Sequence, residues 1–378
     1  MHDLLLSLRI SYESLLVLLM TALSCAVIGS FLVLRKLSMV SDAISHTVLL
    51  GIVIAFFIVQ DPSSPFLIAG AALFGVLTVF AIEMLSGTGL VKNDDAVGIV
   101  FPMFFALAVI LITKFAGNVH LDTDIVLMGE VIMAPLNRTS FFGSSIPKAL
   151  LQMSVLFVIN LLFIAVFFKE LKISTFDREF ARVAGFSSTA LFYALMTLSS
   201  MTAVVAFDAV GAVLVVSFLI TPGATAYLIS RDLKKMLFLS CVYAVINSLI
   251  GYSLAMLINV SMSGMTAAVA GGSFFLTFLF CREGLITRVL LRRRNRREFR
   301  LNLMTMHIGN HMGQAGESAE LGLFSMKNHL KWKQRDIERR AKMLEERGLI
   351  YADKNSDMYR LTERGEMKYN ELKSDYGM

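Results

Sequence analysis

Charge is scarce in this chain. Asp, Glu, Lys and Arg make up 17% of 378 residues, against 56% hydrophobic ones, and mean hydropathy is +0.68. That balance excludes an ordinary soluble domain and places the chain among polytopic membrane proteins. Cysteine is also scarce: Cys25, Cys241 and Cys281 lie in or at the ends of apolar segments, without CxxC or finger spacing. They read as buried thiols and imply no disulfide framework. Three catalytic signatures are missing altogether: the phosphate-binding G-x-x-x-x-G-K-[ST], the zinc-binding HExxH and a GxSxG nucleophile elbow. The chain is therefore expected not to be an enzyme, and ATP-driven work would need a separate polypeptide. No internal repeat or low-complexity tract stands out. No cleavable signal is expected, because the first apolar run is too long and lacks a small-residue cleavage site.

What is present is a series of apolar runs of about 20 residues, the length that crosses a bilayer. They fall at Tyr12–Leu34, Met39–Val59, Pro65–Leu85, Ala96–Thr113, Ala149–Phe168, Ser188–Phe207, Ala209–Ile229, Met236–Leu257 and Met265–Phe280. The sixth and seventh are separated by no charged loop, and Asp208 marks a tight turn between them. Basic residues at Arg35-Lys36, Lys92, Lys169–Arg182, Arg231–Lys235 and beyond Phe280 fall on one side throughout. By the positive-inside rule that side is cytoplasmic. The N-terminus is then outside, the C-terminus inside, and the nine spans agree with both. Between Lys114 and Lys148 the chain is too long for a simple turn and too broken for a span. Ile125–Ala134 reads as a short re-entrant or interfacial helix. His120, Asp122 and Asp124 on that outer loop read as solvated.

The second span carries the one conspicuous ionisable pair, Asp42 and His46. Four residues apart on a helix, they stack on one face. Such groups within a span usually face protein or a water-filled path, and both are metal ligands. Two readings stand side by side: a buried hydrogen-bonded pair that fixes helix packing, and a waypoint for a metal ion. Two ligands do not complete a site, so another helix or a second copy must supply more. Glu83 is expected to face protein or to snorkel. Asp94 and Asp95 suit a helix N-terminus. Between spans five and six, Asp177–Gly185 is a short charged amphipathic piece with Gly185 as its C-cap. It is either a helical connector or a lever that docks on a soluble partner. Pro222 removes a backbone hydrogen bond inside span seven and permits a kink.

Several stretches, taken in order, resemble one family. Arg35-Lys36 with the DAISH segment and Gly51 comes first, followed by Asp94-Asp95-Ala96-Val97-Gly98-Ile99 and the Asp177–Gly185 loop. Val210–Leu214 then runs to Thr221-Pro222-Gly223-Ala224-Thr225-Ala226. From about residue 12 to 280 these are similar to the membrane (permease) subunit of ATP-binding-cassette importers for manganese, zinc or iron, of type II architecture. The resemblance implies that Asp42 and His46 line the translocation path and contact the metal. It implies too that Asp177, Glu179, Ala181 and Gly185 belong to the segment that couples to the ATPase. The implied partners are cytoplasmic ATPase subunits, an extracytoplasmic metal-binding protein and a second permease subunit, identical or homologous. The implied setting is the bacterial plasma membrane. No permanently bound cofactor is expected, the metal being cargo, and Asp and His suit all three metals.

Beyond Phe280, where many members of that family end, the chain continues. The division expected is a transmembrane domain over 1–283, a basic linker over 284–300 and a cytoplasmic domain over 301–378. In the last, Phe299–Met312 reads as a helix and Lys333–Arg347 as a second, with Ile337, Ala341 and Leu344 on one face. Gly348 stops that helix, strands Leu349–Ala352 and Met358–Leu361 flank a Lys354–Asp357 turn, and Thr362 opens a last helix. This order resembles a winged-helix domain of the metal-dependent repressor type. Lys333, Arg335, Arg339, Arg340 and Lys342 suit phosphate contacts, while Asp336, Glu338, Glu345 and Glu346 dilute them. A protein-docking or regulatory module is favoured over a nucleic-acid binder. His307 and His311, four apart, read as part of a solvated linker helix. The expected fold class is thus an all-α polytopic membrane protein plus a small α+β winged-helix-like domain. Two other functions stay open: a membrane-tethered metal-responsive transcriptional regulator, and an ion-coupled secondary transporter.

Overall fold

The computed structural model describes residues 2–61, 64, 66–115, 131–141, 144–281, 284–353 and 356–375. The chain divides into two compact units, Met1–Gly284 and Leu285–Met378. Among the described residues nine helices are long and apolar enough to cross a membrane. They are α1 (His2–Leu34), α2 (Ser38–Val59), α3 (Phe66–Gly87), α4 (Asn93–Phe115), α5 (Lys148–Val166), α8 (Ser188–Val210), α9 (Ala212–Ile229), α10 (Leu233–Ile258) and α11 (Met262–Phe280). Two short helices, α6 (Phe168–Phe176) and α7 (Arg178–Val183), join α5 to α8.

The first of these helices, α1, is the hub and packs against α5, α8, α9 and α10. Its buried hydroxyls meet the demand for satisfied polar groups partly within the helix: Thr21 donates to the Val17 carbonyl at 2.8 Å and Ser30 to that of Ala26 at 2.8 Å. A second device crosses helices. Buried Asn160 on α5 donates to Ser24 on α1 at 3.1 Å and to Thr202 on α8 at 2.9 Å. Where lipid is as apolar as the side chains, such bonds and close backbone contact hold helices together. The α2–α3 crossing shows the second factor. A Cβ on Gly51 would run into the Gly70 carbonyl and come within 2.8 Å of Ala71 Cα. Beside that crossing, Thr78 on α3 donates to Thr47 on α2 at 2.7 Å.

Two sequence expectations change here. Asp208 is not a turn: α8 runs through it to Val210, and the break comes at Gly211, whose φ of 82° and ψ of 161° suit glycine alone. Among the described residues between α4 and α5, a 3-10 turn, Ala134–Leu136, precedes an antiparallel hairpin of β1 (Arg138–Phe141) and β2 (Ser144–Pro147). The helix expected over Ile125–Ala134 falls mostly outside the described residues, as do His120, Asp122 and Asp124. Arg138 in that hairpin holds Glu13 of α1 in a two-pronged ion pair, 2.7 and 3.0 Å. The pair pushes the guanidinium above its ordinary pKa. Lastly, the basic stretch expected as a linker over 284–300 is regular structure, the first half of α12 (Leu285–His311).

The second unit continues through α13 (Glu317–Leu321), α14 (Met326–Leu330), α15 (Gln334–Glu346), strands β3 (Ile350–Asp353) and β4 (Met358–Leu361), and α16 (Glu363–Asp375). β3 pairs antiparallel with β4, Ile350 opposite Leu361. Lys354 and Asn355 of the expected turn lie outside the described residues. Ile337, Ala341 and Leu344 share the buried face of α15 and join Leu301, Met304 and Ile308 of α12 in one core. Gly348, at φ 67°, ends α15. Thr362 caps α16 by accepting from the Gly365 amide at 3.1 Å.

Candidate functional site

The α2 helix starts abruptly. Lys36 takes a left-handed φ of 60°, and Leu37 closes the turn by donating to the Leu32 carbonyl at 2.8 Å. Asp42 and His46 therefore sit about 6 and 12 Å along the helix from Ser38. Val40, Ser41, Ala43, Ile44, Ser45 and Thr47 are buried against neighbouring helices. Asp42 and His46 occupy the more open face between them, at 44% and 28% side-chain exposure.

His46 Nε2 lies 3.7 Å from Asp42 Oδ1, beyond hydrogen-bond length. The pair is thus neither deeply buried nor hydrogen-bonded to itself. On the far side, α4 supplies Phe101, whose ring centroid is 5.0 Å from that of His46, and Phe105, edge-on at 5.9 Å. These two rings restrict the imidazole from one side and leave its Nε2 toward Asp42. An oxygen and a nitrogen 3.7 Å apart fit neighbouring positions on one metal ion. Among the described residues no third His, Cys, Asp or Glu joins them. Pro102, between the two phenylalanines inside α4, carries no amide hydrogen to donate one turn back.

The segment after α6 is built as a capped unit. Asp177 Oδ1 accepts from the Phe180 amide at 2.9 Å, a helix N-cap. At the other end Phe186 donates to the Ala181 carbonyl at 2.9 Å and Gly185 to that of Arg182 at 3.1 Å, with Gly185 at φ 84°. That is a complete Schellman ending, which glycine makes without strain. Ala181 is fully buried, while Glu179 is exposed and lies 3.5 Å from Arg182. Phe176, Phe180 and Val183 are exposed, Val183 at 86%. Three apolar side chains held outward on a rigid piece outside the spans form a contact patch.

Arg35 connects the two features. It sits in the turn before α2, donates to Ser174 at 2.9 Å and to Thr175 at 3.1 Å, and those hydroxyls lie three and two residues before Asp177. Arg35 and Arg178 both lie over the Phe192 ring, at 6.0 and 5.6 Å. Burial first, and the Arg178 charge second, pull the Arg35 guanidinium down to about 10. It remains a cation at neutral pH. Pro222 is buried within α9, which continues through it as one helix. Glu83 does face protein, accepting from the Tyr193 hydroxyl of α8 at 2.9 Å. Asp94 and Asp95 lie in the first turn of α4. Phe101, Phe105 and Arg35's links were missed by sequence reasoning; for the rings, the only signal was an i, i+4 aromatic spacing common in any apolar helix.

The comparisons agree with this architecture. The model of the ABC 3 transport family matches residues 8–281. The zinc transport system membrane protein TroD of Treponema pallidum is 42% identical over 354 residues, covering 93% of this chain and 96% of that protein. The manganese transport system membrane protein MntD of Bacillus subtilis is 42% identical over 273 residues, 72% of this chain and 92% of that protein. A solved structure, PsaBC from Streptococcus pneumoniae in complex with Fab, aligns with a TM-score of 0.61 at 30% identity. It covers 75% of this chain and 94% of the matched one. A family model spanning nearly the whole first unit, with relatives this similar over most of their length, shows that the chain belongs to the ABC 3 transport family.

Proposed function

We propose that the chain is the permease subunit of an ATP-driven importer of a divalent transition metal, with Asp42 and His46 on the path of the ion. Manganese and zinc are the metals in the relatives' names; iron suits the same ligands. The observation that carries this reading is the exposure of Asp42 on an apolar spanning helix. A carboxylate left against lipid is costly. A water-filled path, closed by a second permease subunit that brings further ligands, removes that cost.

The capped segment Asp177–Gly185 is then the coupling element, its exposed Phe180 and Val183 resting on a cytoplasmic ATPase, with Asp177, Glu179, Ala181 and Gly185 shaping it. An extracytoplasmic metal-binding protein delivers the ion at the opposite face. The setting is the bacterial plasma membrane, N-terminus outside and C-terminus cytoplasmic. In the second unit the order of three short helical elements, a hairpin and a last helix supports a winged-helix-like module. Arg340 stacks over Trp332 at 4.7 Å and lies near Asp336, which takes one of its basic side chains out of reach of phosphates. That favours a docking or regulatory role over nucleic acid.

The test is metal accumulation in cells that co-produce this chain, its ATPase and its binding protein. Asp42→Asn and His46→Ala are each expected to reduce accumulation to background while the chain still inserts in the membrane. Wild-type accumulation by both variants overturns the assignment.

A further inference from the structure

The second unit brings together three imidazoles and one carboxylate. His307 and His311, expected to be solvated, lie one turn apart on α12 with ring centroids 4.8 Å apart, tilted by 55°. His307 is only 12% exposed. Glu320 reaches in from α13: its Oε2 is 3.9 Å from His307 Nε2 and 2.8 Å from His329 Nδ1 on α14. Ligand-capable atoms of His307, His311 and Glu320 all fall within 4.8 Å of one another. Zinc–nitrogen and zinc–oxygen bonds of about 2.0–2.2 Å place the ligands of a tetrahedral ion about 3.3–3.5 Å apart. The observed separations bracket that value.

The ordinary reading is a set of ion pairs together with a hydrogen bond, His307 Nε2 lying 3.2 Å from the Glu320 backbone carbonyl. It accounts for the carboxylate with His329, but not for a third imidazole, His311, turned into the same space. Among the described residues no lysine or arginine forms an ion pair with Glu320. The four residues come from three separate helices, each seated on the common core through Met304, Ile308, Leu321 and Met326. A half-buried group of donors converging from separate elements is what a metal site requires, and three nitrogens with one oxygen favour zinc over harder ions.

We infer that the second unit holds a divalent metal ion of zinc type through His307, His311 and Glu320, with His329 as the fourth ligand. The site is separate from Asp42 and His46 and stands without the transport reading. Joined to that reading, it places a metal-responsive element on the compartment side that receives the ion, and the ion would pin α13 and α14 to α12.

The experiment uses the full chain in detergent, carrying Asp42→Asn and His46→Ala so that the membrane pair is silent. CoCl2 is titrated and followed by visible absorption, then displaced with ZnCl2. One equivalent of cobalt with the strong ligand-field bands of a tetrahedral site is expected, with zinc displacing it. His307→Gln combined with His311→Gln, and separately Glu320→Gln, should weaken cobalt at least about tenfold. His329→Gln, on the most exposed of the four, should alter the spectrum with the unit folded. Zinc should raise the unfolding temperature of the second unit in the parent and not in the Glu320→Gln variant. No cobalt equivalent in the parent, or equal binding in all variants, overturns the site. Transport is read apart, in chains with Asp42 and His46 intact, so failure of either proposal is visible without the other.

Discussion

At Arg35 one side chain joins the turn that launches the Asp42 helix to the hydroxyls of Ser174 and Thr175 just ahead of the capped segment. Its third nitrogen, Nη1, is buried without a hydrogen-bond partner. No acidic side chain is among the groups that shift its pKa. Hydrogen bonds to a charged group contribute roughly 1.5–3 kcal/mol each, and here they tie α6 to the turn before α2. Arg35→Ala is expected to lower ATP-dependent metal uptake in proteoliposomes about tenfold or more, each 1.4 kcal/mol being about tenfold. Metal binding at the proposed Asp42–His46 site should persist. Arg35→Lys, which lacks the fork that reaches two hydroxyls at once, should restore uptake only in part. Uptake at the wild-type rate by Arg35→Ala would show that motion of α7 reaches α2 by another route.

Among the elements, the α8–α9 junction depends most on one residue. The chain reverses at Gly211 with a backbone conformation closed to residues bearing a Cβ, and the Gly211 amide still donates to the Phe207 carbonyl at 3.0 Å. Val210 and Ala212 on either side are buried, so the turn cannot relax outward. Gly211→Ala should cost about 1–3 kcal/mol of backbone strain, read as a lower unfolding temperature of the detergent-solubilised chain. Gly264→Ala serves as a control: an added Cβ there meets its nearest neighbour only at 3.8 Å, so the temperature should barely move. Equal temperatures for Gly211→Ala and wild type would mean that the junction adapts. Elsewhere, caps terminate the elements at low cost: Asp177 and Gly185 around α7, Asp232 at α10 and Ser261 at α11 each bond backbone groups that would otherwise be orphaned.

For the whole molecule, each unit has its own hydrophobic core, and the relatives differ in how much of the chain they match. The Bacillus protein matches over 273 residues that make up 92% of its length, whereas the Treponema protein matches over 354. The Bacillus match is shorter than the first unit, whereas the Treponema match is longer than it and so runs into the second unit. A chain ending at Gly284 is expected to insert in the membrane and elute as a single species in detergent, with an unfolding temperature close to that of the full chain. Aggregation of that shortened chain would show that the first unit needs the second for its stability.

The number and bounds of the spans were legible in the sequence because each answers to a local demand. Without water, a spanning segment must satisfy its own backbone and present apolar side chains over a fixed length, and both conditions are written in consecutive residues. The caps at Asp177 and Gly185, and the buried stripe Ile337, Ala341 and Leu344, are local in the same way. The α8–α9 break was misplaced by a few residues because hydropathy is blind to a backbone angle. What only the tertiary structure decided was which distant residues meet: Arg35 with Ser174, 139 positions apart, and Asn160 with Ser24, 136 apart. His46 against two rings of another helix, and a carboxylate reaching two imidazoles on different helices, belong with them. Bringing such pairs together costs loop-closure entropy that no local pattern reports. The choice among many equally apolar helix faces is made by close backbone approach, as at Gly51 and Gly70, and by buried polar groups that must find partners.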